Sequence, residues 1–215
     1  MKAPSAPHVE GFVLAGGRST RMGRDKAMLE WKGSPLVEQA LGSLRHLGLQ
    51  ARIAGSRADL GRFAEVVPDL HPGCGPVSGI EAALVASDAE LNLFLPVDLP
   101  LLPEMFLRWM LDRVAATAAL ATIPLVSGMP QPLCAVYHQA LLPGLTVSLV
   151  EGEYKVMRAI THAASVASHD GQHTGVAVDS FHVEEVFCCR FDWPADMPVG
   201  RWFQNMNTPA DLAAV

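Results

Sequence analysis

Short apolar segments alternate with amphipathic segments along most of this chain. Between Leu36 and Leu47 the apolar residues recur at helical spacing, which predicts a helix that packs one face on a sheet. The apolar run Leu91–Leu95 is typical of a buried parallel strand. Similar patterns predict strands at Glu10–Leu14, Ala51–Ala54, Glu65–Val67, Ala118–Ile123, Leu133–Tyr137 and Val183–Phe191, and helices over Pro76–Val85 and from about Pro103. This alternation predicts an α/β sandwich built on a mainly parallel sheet.

Two short segments carry signals for the start of a helix. Ser34-Pro35 predicts an N-cap followed by proline at the first helical position. Near the end of the chain, Thr208 is placed to cap a helix and Asp211 to reach back to it, as in a capping box.

The length, net charge and apolar stretches of the chain limit the classes of protein to which it can belong. A chain of 215 residues that is 50% hydrophobic suits one domain, which we expect over residues 9–215 after a flexible tail at 1–8. The net charge of -6 argues against a general nucleic-acid binder, so affinity for a polyanion must come from local basic residues. No apolar stretch is long enough for a membrane helix and no signal-peptide pattern is present, so we expect a cytoplasmic protein without a membrane partner.

The cysteines and histidines do not form a recognisable metal-binding pattern. The four cysteines include no C-x-x-C pair and are interpreted as free thiols: Cys74, Cys134, Cys188 and Cys189. Three late histidines lie in a segment without clean periodicity and are interpreted as surface loop residues: His169, His173 and His182.

The segment from Leu14 to Lys26 is the most informative one in the chain. It follows a predicted strand, where phosphate-binding loops occur in α/β proteins, and its paired glycines allow the backbone to approach a ligand. Four cations lie within nine residues: Arg18, Arg21, Arg24 and Lys26. The segment is neither a Walker A loop nor a dinucleotide fingerprint, but its cations suit a triphosphate with pyrophosphate as the leaving group.

This segment resembles the signature L-A-G-G-x-S-x-R-M-G-x-D-K of the molybdenum cofactor guanylyltransferases, within the nucleotidyltransferase superfamily. The resemblance implies a three-layer α/β/α, Rossmann-like fold of the nucleotide-diphospho-sugar transferase type. It also implies that the base and phosphates meet Leu14, Ala15, Gly16 and Gly17. Arg21 and Lys26 would contact the triphosphate and act in catalysis.

Asp98 follows the apolar strand that ends near Leu95, at the edge of the sheet where ligands bind in open α/β proteins. From the residues alone, Asp98 is more commonly a cap for the helix that starts near Pro103. The family carries a matching strand–Asp–x–Pro element that binds Mg²⁺. The resemblance therefore implies that Asp98 is a catalytic residue, a nucleotide contact and the metal ligand.

A second turn resembles the family's nucleotide site. Asp69 precedes a G-P-x-x-G pattern formed by Gly75, Pro76 and Gly79, and the resemblance implies that Asp69, Gly75 and Gly79 contact the nucleotide. From the residues alone, Asp69 is an ordinary turn residue. Relatives often carry an Asn after the second strand, where this chain reads Ala54-Gly55-Ser56-Arg57, so Ser56 or a backbone group is the candidate replacement. The two glycine patterns resemble those of the GTP-using rather than the CTP-using enzymes.

Three polar residues resemble the family's acceptor side. Asn205 and Asn207 match the pattern N-x-N-T-P-x-D and are candidates to bind a pterin or phosphate, or to order the metal site. Lys155 is a candidate contact for an acceptor phosphate, with a surface charge as the open alternative.

The resemblance implies transfer of GMP from GTP to the terminal phosphate of molybdopterin, with Mg²⁺ as cofactor and molybdoenzymes or cofactor-delivery proteins as protein partners. The nucleotide part would span about residues 9–125 and the acceptor part about 126–215. Two alternatives stay open. One is a related nucleotidyltransferase that uses CTP or a sugar-phosphate acceptor, and the other is a non-catalytic nucleotide-binding module.

Overall fold

The computed structural model describes residues 7–16, 25–169, 175–190, 198–208 and 211–212. The strands are β1 (Val9–Leu14), β2 (Glu30–Trp31), β3 (Ser34–Pro35), β4 (Gln50–Ala54), β5 (Val66–Val67), β6 (Leu91–Pro96), β7 (Ala121–Val126), β8 (Met129–Pro130), β9 (Ala135–His138) and β10 (Val178–His182). The helices are α1 (Leu36–His46), α2 (Pro76–Ala86), α3 (Glu104–Thr117), α4 (Leu142–Val150), α5 (Val156–His169), α6 (Val183–Arg190) and α7 (Val199–Trp202). Single turns of 3₁₀ helix lie at Lys26–Met28, Ala58–Leu60 and Gln139–Leu141.

One sheet organises the described part of the chain. Its strand order is β10-β7-β9-β6-β1-β4-β5, with β8 paired to β7. The pairs β1–β4, β1–β6, β4–β5 and β7–β10 are parallel, whereas β9 runs antiparallel to both β6 and β7. The predicted α/β fold with a mainly parallel sheet is confirmed.

Helices cover both faces of the sheet, which gives three layers. In β1, Val13 packs into a core with α1, α3, α6 and α7, while Phe12 and Leu14 pack on the other face with α2, α4 and α5. Successive strand residues point to opposite faces, so a strand buried on both sides must be apolar throughout. This requirement explains why four of the five residues from Leu91 to Leu95 are apolar. The exception, Asn92, is also fully buried.

Helix α1 shows how the predicted pattern becomes packing. Val37, Leu41 and Leu44 recur at intervals of four and three residues and are fully buried against the sheet. The predicted cap at Ser34 is wrong: Pro35 occupies the N-cap position without a side-chain cap hydrogen bond, and the helix begins at Leu36. Ser34 and Pro35 instead pair with Trp31 and Glu30 in a two-stranded ladder.

The predicted strand Val183–Phe191 is also wrong, because this segment forms helix α6 as far as Arg190. Val183 and Phe187 are four residues apart and both fully buried, so the segment follows a helical period. The strand in this region is β10, which directly precedes α6 in the chain and pairs in parallel with β7. His169 ends α5 and His182 ends β10, both exposed to solvent, while His173 lies outside the described residues.

The predictions for the tail and the cysteines can be compared only in part with the structure. Most of the predicted tail and the side chains of Cys188 and Cys189 lie outside them, whereas Cys74 and Cys134 are free thiols as predicted. No helix in the described ranges is both long and apolar enough to cross a membrane.

The predicted capping box near the end of the chain is present. The Asp211 carboxylate accepts the Thr208 N–H at 2.8 Å, and the Thr208 hydroxyl accepts the Asp211 N–H at 3.2 Å.

Gly144 lets helices α4 and α5 pack closely. A Cβ atom at Gly144 would lie 2.5 Å from the Cα atom of Ala163, so Gly144→Ala must push the two helices apart. We expect a loss of about 1–3 kcal/mol in the free energy of unfolding, measured by urea denaturation. The matched control is Gly42→Ala in α1, where nothing lies within 4 Å of an added Cβ. That change should raise stability by about 0.5–1 kcal/mol, because alanine favours the helix. Equal effects of the two substitutions would contradict this account of Gly144.

Candidate active site

A cleft of about 480 Å³ opens at the carboxyl ends of the parallel strands, within the range of typical ligand sites. It is lined by Leu14, Gly16, Lys26, Ala54, Asp69, Gly73, Gly75, Pro76, Gly79, Pro96, Val97, Asp98 and Leu133. Seven residues predicted to bind nucleotide or metal from the sequence therefore share one cavity. Ala15 is buried beside them, with its N–H donated to the Ala54 carbonyl at 3.1 Å. Gly17 and Arg21 lie outside the described residues.

Lys26 and Asp98 face each other inside this cleft. The Lys26 Nζ donates to Asp98 Oδ2 at 3.5 Å, with 33% and 17% of the two side chains exposed. They are 72 positions apart in the chain. The strands that precede them, β1 and β6, are parallel neighbours, so both carboxyl ends lie at one edge of the sheet. A cation and a carboxylate that both remain partly exposed in a cleft can bind the phosphate oxygens and the metal ion of a nucleotide, respectively.

The turn that carries Lys26 is fixed by the residue before it. Asp25 caps the 3₁₀ helix Lys26–Met28, and its Oδ1 accepts the Ala27 N–H at 3.1 Å. This capping hydrogen bond fixes the backbone from which the flexible lysine side chain extends. The sequence signature includes Asp25, but this structural role is visible only in the folded chain.

Asp69 and Ser56 form a compact hydrogen-bonded pair at the wall of the cleft. The Ser56 hydroxyl donates to Asp69 Oδ2 at 3.1 Å and accepts the Asp69 N–H at 3.2 Å, while the Ser56 N–H donates to Oδ2 at 3.3 Å. Ser56 lies in the turn after β4, and its hydroxyl orients Asp69. The pair therefore forms an ordered polar wall at this position.

The amino-terminal end of α2 forms another wall. Gly75 is the N-cap with φ 71°, a conformation that favours glycine, and Pro76 occupies the first helical position. An added Cβ at Gly79 would lie 3.3 Å from Asp69 Oδ1, so glycine allows α2 to approach that carboxylate closely. The N-terminus of a helix carries partial positive charge and free N–H groups, which favour a bound anion.

The three acceptor candidates lie outside the cleft lining. Met206, between Asn205 and Asn207, donates its N–H to the Asp98 carbonyl at 2.9 Å, so the asparagine segment is attached to the candidate metal residue. Asn205 is exposed and Asn207 is half-buried. The Asn207 N–H donates to the Asp211 carboxylate at 2.9 Å. This hydrogen bond is the largest cause of the lowered pKa of Asp211, and the Thr208 N–H adds to it. Ordering of the metal site and direct acceptor binding both stay predictions for these two asparagines.

Lys155 lies on an exposed loop just before α5. The side chain of the neighbouring Tyr154 interacts with that of Cys74, and this interaction is the largest cause of the raised pKa of Tyr154. Cys74 lies between Gly73 and Gly75, two glycines that line the cleft. The Lys155 loop therefore lies near the rim of the cleft, although Lys155 itself does not line the described cavity.

Comparison with known proteins identifies the family. The family model of the MobA-like NTP transferase domain matches residues 11–173. This range includes all the described residues that line the cleft. The chain belongs to this family.

Relatives of this MobA-like chain carry one recurrent name. The chain is 35% identical to the molybdenum cofactor guanylyltransferase of Xanthomonas euvesicatoria, over 71% of this chain and 78% of the relative. It is 31% identical to the probable molybdenum cofactor guanylyltransferase of Deinococcus radiodurans, over 94% of this chain and 90% of the relative. The resemblance inferred from the glycine-rich segment is confirmed.

A solved structure supports the fold. The crystal structure of molybdopterin-guanine dinucleotide biosynthesis protein A from Archaeoglobus fulgidus matches with a TM-score of 0.69. The match covers 95% of both chains, at 24% sequence identity. The predicted nucleotidyltransferase fold with a Rossmann-like sheet is confirmed.

Sequence reasoning missed two residues that shape the site. Gly55 has φ 138°, and an added Cβ there would lie 3.0 Å from the backbone N of Gly16, so the turns after β4 and β1 touch. Arg57 is buried beside Asp25 and forms an ion pair with it. No local motif marks either residue, because both contacts join segments that are far apart in the chain.

Proposed function

We propose that this chain transfers GMP from GTP to the terminal phosphate of molybdopterin and releases pyrophosphate. The observation that carries the proposal is the meeting of Lys26 and Asp98 in one cleft with the glycine-rich ends of β1 and α2. Names of relatives supply the acceptor and the base, since the two described above are called molybdenum cofactor guanylyltransferase and probable molybdenum cofactor guanylyltransferase.

The acceptor phosphate is the nucleophile and attacks the α-phosphorus of GTP as pyrophosphate leaves. A phosphate monoester with a second pKa of about 6 is largely ionised near neutral pH. The protein therefore does not have to supply a general base. Its contribution is to position two polyanions and to offset their charge.

Lys26 supplies positive charge to the triphosphate and offsets the charge that develops on the leaving group. The glycine backbone near Gly16 and the first turn of α2 supply N–H donors to the nucleotide. Arg21 is proposed to assist Lys26 on the triphosphate, and the N–H groups near Gly17 to join those of Gly16; both residues are assigned from the family signature. Asp69, held by Ser56, is proposed to orient the nucleoside.

Asp98 is proposed to hold Mg²⁺. Its carboxylate lies at the cleft with 17% of the side chain exposed, and a carboxylate joined by phosphate oxygens is the donor set that Mg²⁺ commonly takes. When bound, the ion would neutralise negative charge on the phosphates.

The acceptor is proposed to bind on the side formed by residues 126–215, with the nucleotide on the side formed by residues 9–125. Asn205, Asn207 and Lys155 are the proposed acceptor contacts. A cytoplasmic location and transfer of the product to molybdoenzymes or delivery proteins remain predictions from the sequence.

Pyrophosphate release tests the proposed reaction. With GTP, Mg²⁺ and molybdopterin together, we expect pyrophosphate and molybdopterin guanine dinucleotide in equal amounts. Omitting molybdopterin should abolish release, which separates transfer from simple GTP hydrolysis. Replacing GTP by CTP should lower the rate at least about tenfold, because rejecting a different base is worth more than about 1.4 kcal/mol when polar groups lose their partners.

Each alternative function predicts a different result from that assay. A faster reaction with CTP than with GTP would show that CTP is the nucleotide substrate. A faster reaction with a sugar phosphate than with molybdopterin would show that the sugar phosphate is the acceptor. GTP binding without pyrophosphate release under any of these conditions would favour the non-catalytic nucleotide-binding module.

A further inference from the structure

Arg57 is a buried cation next to the cleft that takes no part in lining it. Only 4% of its side chain is exposed, and it is not among the described residues around the cavity. A buried arginine that reaches no ligand must be held by partners, since an unpaired buried charge is very costly.

Two carboxylates hold the guanidinium. Nε and Nη2 of Arg57 donate to the two carboxylate oxygens of Asp59 at 2.9 and 2.8 Å. Nη1 donates to Asp25 Oδ1 at 3.0 Å, and Nη2 also donates to Asp25 Oδ2. The hydrogen bond with Asp59 is the largest cause of a raised pKa of Arg57; burial opposes it and Asp25 adds to it. The planar guanidinium thus fixes the orientation of both carboxylates.

The Asp25 carboxylate joins Arg57 to the Lys26 turn. The same Oδ1 that accepts from Arg57 also accepts the Ala27 N–H at 3.1 Å, which caps the 3₁₀ helix Lys26–Met28. Lys26 is the first residue of that turn and reaches Asp98 at 3.5 Å. The orientation of the Asp25 carboxylate therefore influences where the lysine ammonium lies.

The backbone of Arg57 is anchored to the glycine-rich side of the cleft. Its N–H donates to the Gly55 carbonyl at 2.8 Å, and Gly55 lies against the backbone of Gly16. Arg57 thus connects the turn after β4, which touches the turn after β1, with the turn that carries Lys26.

We propose that Arg57 is a positioning residue: it holds Asp25, and through Asp25 it sets the Lys26 ammonium opposite Asp98 for binding the β- and γ-phosphates of GTP. The proposal rests on the proposed function only in requiring that the cleft bind GTP. It assigns Arg57 no contact with the nucleotide.

The test compares the affinities of GTP and GMP in the presence of Mg²⁺, by calorimetric titration of the full chain. Arg57→Lys keeps the charge but loses the bidentate geometry. We expect GTP affinity to fall roughly tenfold, in line with the loss of a charged hydrogen bond, while GMP affinity changes less than about twofold. GMP lacks the two phosphates that Lys26 is proposed to contact.

A double-mutant cycle separates positioning from general destabilisation. In a Lys26→Ala background, adding Arg57→Lys should cause no further loss of GTP affinity, since the two changes act through one ammonium group. Asp25→Asn is the second variant, because asparagine keeps the helix-capping oxygen but loses the charge partner. It should show the same selective loss for GTP, and it decides the matter if Arg57→Lys does not fold.

Arg113→Lys is the matched control. Arg113 also makes a bidentate pair, with Asp179 at 2.6 and 2.8 Å, but joins α3 to β10 away from the cleft. Its substitution should leave the ratio of GTP to GMP affinity unchanged.

Two results would overturn the role of Arg57. One is an equal loss of GTP and GMP affinity in the Arg57→Lys and Asp25→Asn variants. The other is an undiminished effect of Arg57→Lys when Lys26 is already alanine. If the unaltered chain binds GTP but never forms the dinucleotide product, the proposed function fails while the comparison at Arg57 still gives its answer.

Discussion

Replacing Asp98 by alanine is expected to lower the rate of GMP transfer by about a thousandfold while leaving the fold intact. The magnitude is that found when a preorganised charge-stabilising group is removed from an active site. Asp98 is the proposed ligand of Mg²⁺ and lies 3.5 Å from Lys26, so its loss removes the metal site and leaves the lysine without its carboxylate partner. The measurement is the initial rate of pyrophosphate release at saturating GTP and molybdopterin.

Asp98→Asn sharpens this prediction, because asparagine keeps the size of the side chain and an oxygen that can accept from Lys26. It should be almost as inactive as Asp98→Ala, since a neutral amide is a much weaker magnesium ligand than a carboxylate. The control is Asp112→Ala, which removes an exposed carboxylate from α3 and should leave the rate unchanged. Near-normal activity of either Asp98 variant would show that the residue is not the metal ligand.

Lys26→Ala is expected to lower kcat/KM for GTP by about a hundredfold or more, the effect of losing a charge contact in a low-dielectric site. The ammonium is proposed to stabilise charge on the departing pyrophosphate, so kcat should fall as well as the affinity for GTP. Thermal unfolding should change little, because Lys26 is one-third exposed and its ion pair with Asp98 contributes little to stability.

The control for Lys26 is Arg108→Ala, which removes an exposed cation from α3 that is not among the described residues lining the cleft. Its kinetics should match those of the unaltered chain. If Lys26→Ala raised KM alone and left kcat intact, Lys26 would be a binding residue without a role in the transfer step.

Two residues of the site, Gly16 and Asp98, could be placed from the sequence because the signals that mark them are local. The ends of β1 and β6 are marked by apolar runs followed by Gly16 and by Asp98, and parallel strands bring their carboxyl ends to one edge of the sheet. The position of Gly16 and Asp98 at one edge therefore follows from strand order once the strands are recognised. The contact of Lys26 with Asp98 also depends on the turn that Asp25 caps.

Features that depend on distant partners could not be predicted from the sequence. Strand β10 includes Asp179 and Ser180 and resembles a loop, but Asp179 is paired with Arg113 from α3, 66 positions earlier. The apolar run from Val183 to Phe191 predicts a strand but forms a helix as far as Arg190, because short apolar runs are ambiguous without their packing partners. Arg57 contacts Asp25 because β4 pairs with β1 in the folded sheet, and no local pattern in the sequence marks this contact.

The central claim is that Lys26 and Asp98 together hold a nucleoside triphosphate and its metal ion. The most direct test is a crystal structure with a non-hydrolysable GTP analogue and Mn²⁺ in place of Mg²⁺, with the metal located by its anomalous signal. The account predicts a metal peak bound to the Asp98 carboxylate and a triphosphate within hydrogen-bonding distance of the Lys26 ammonium. A triphosphate bound outside the cleft, or a metal peak remote from Asp98, would contradict it.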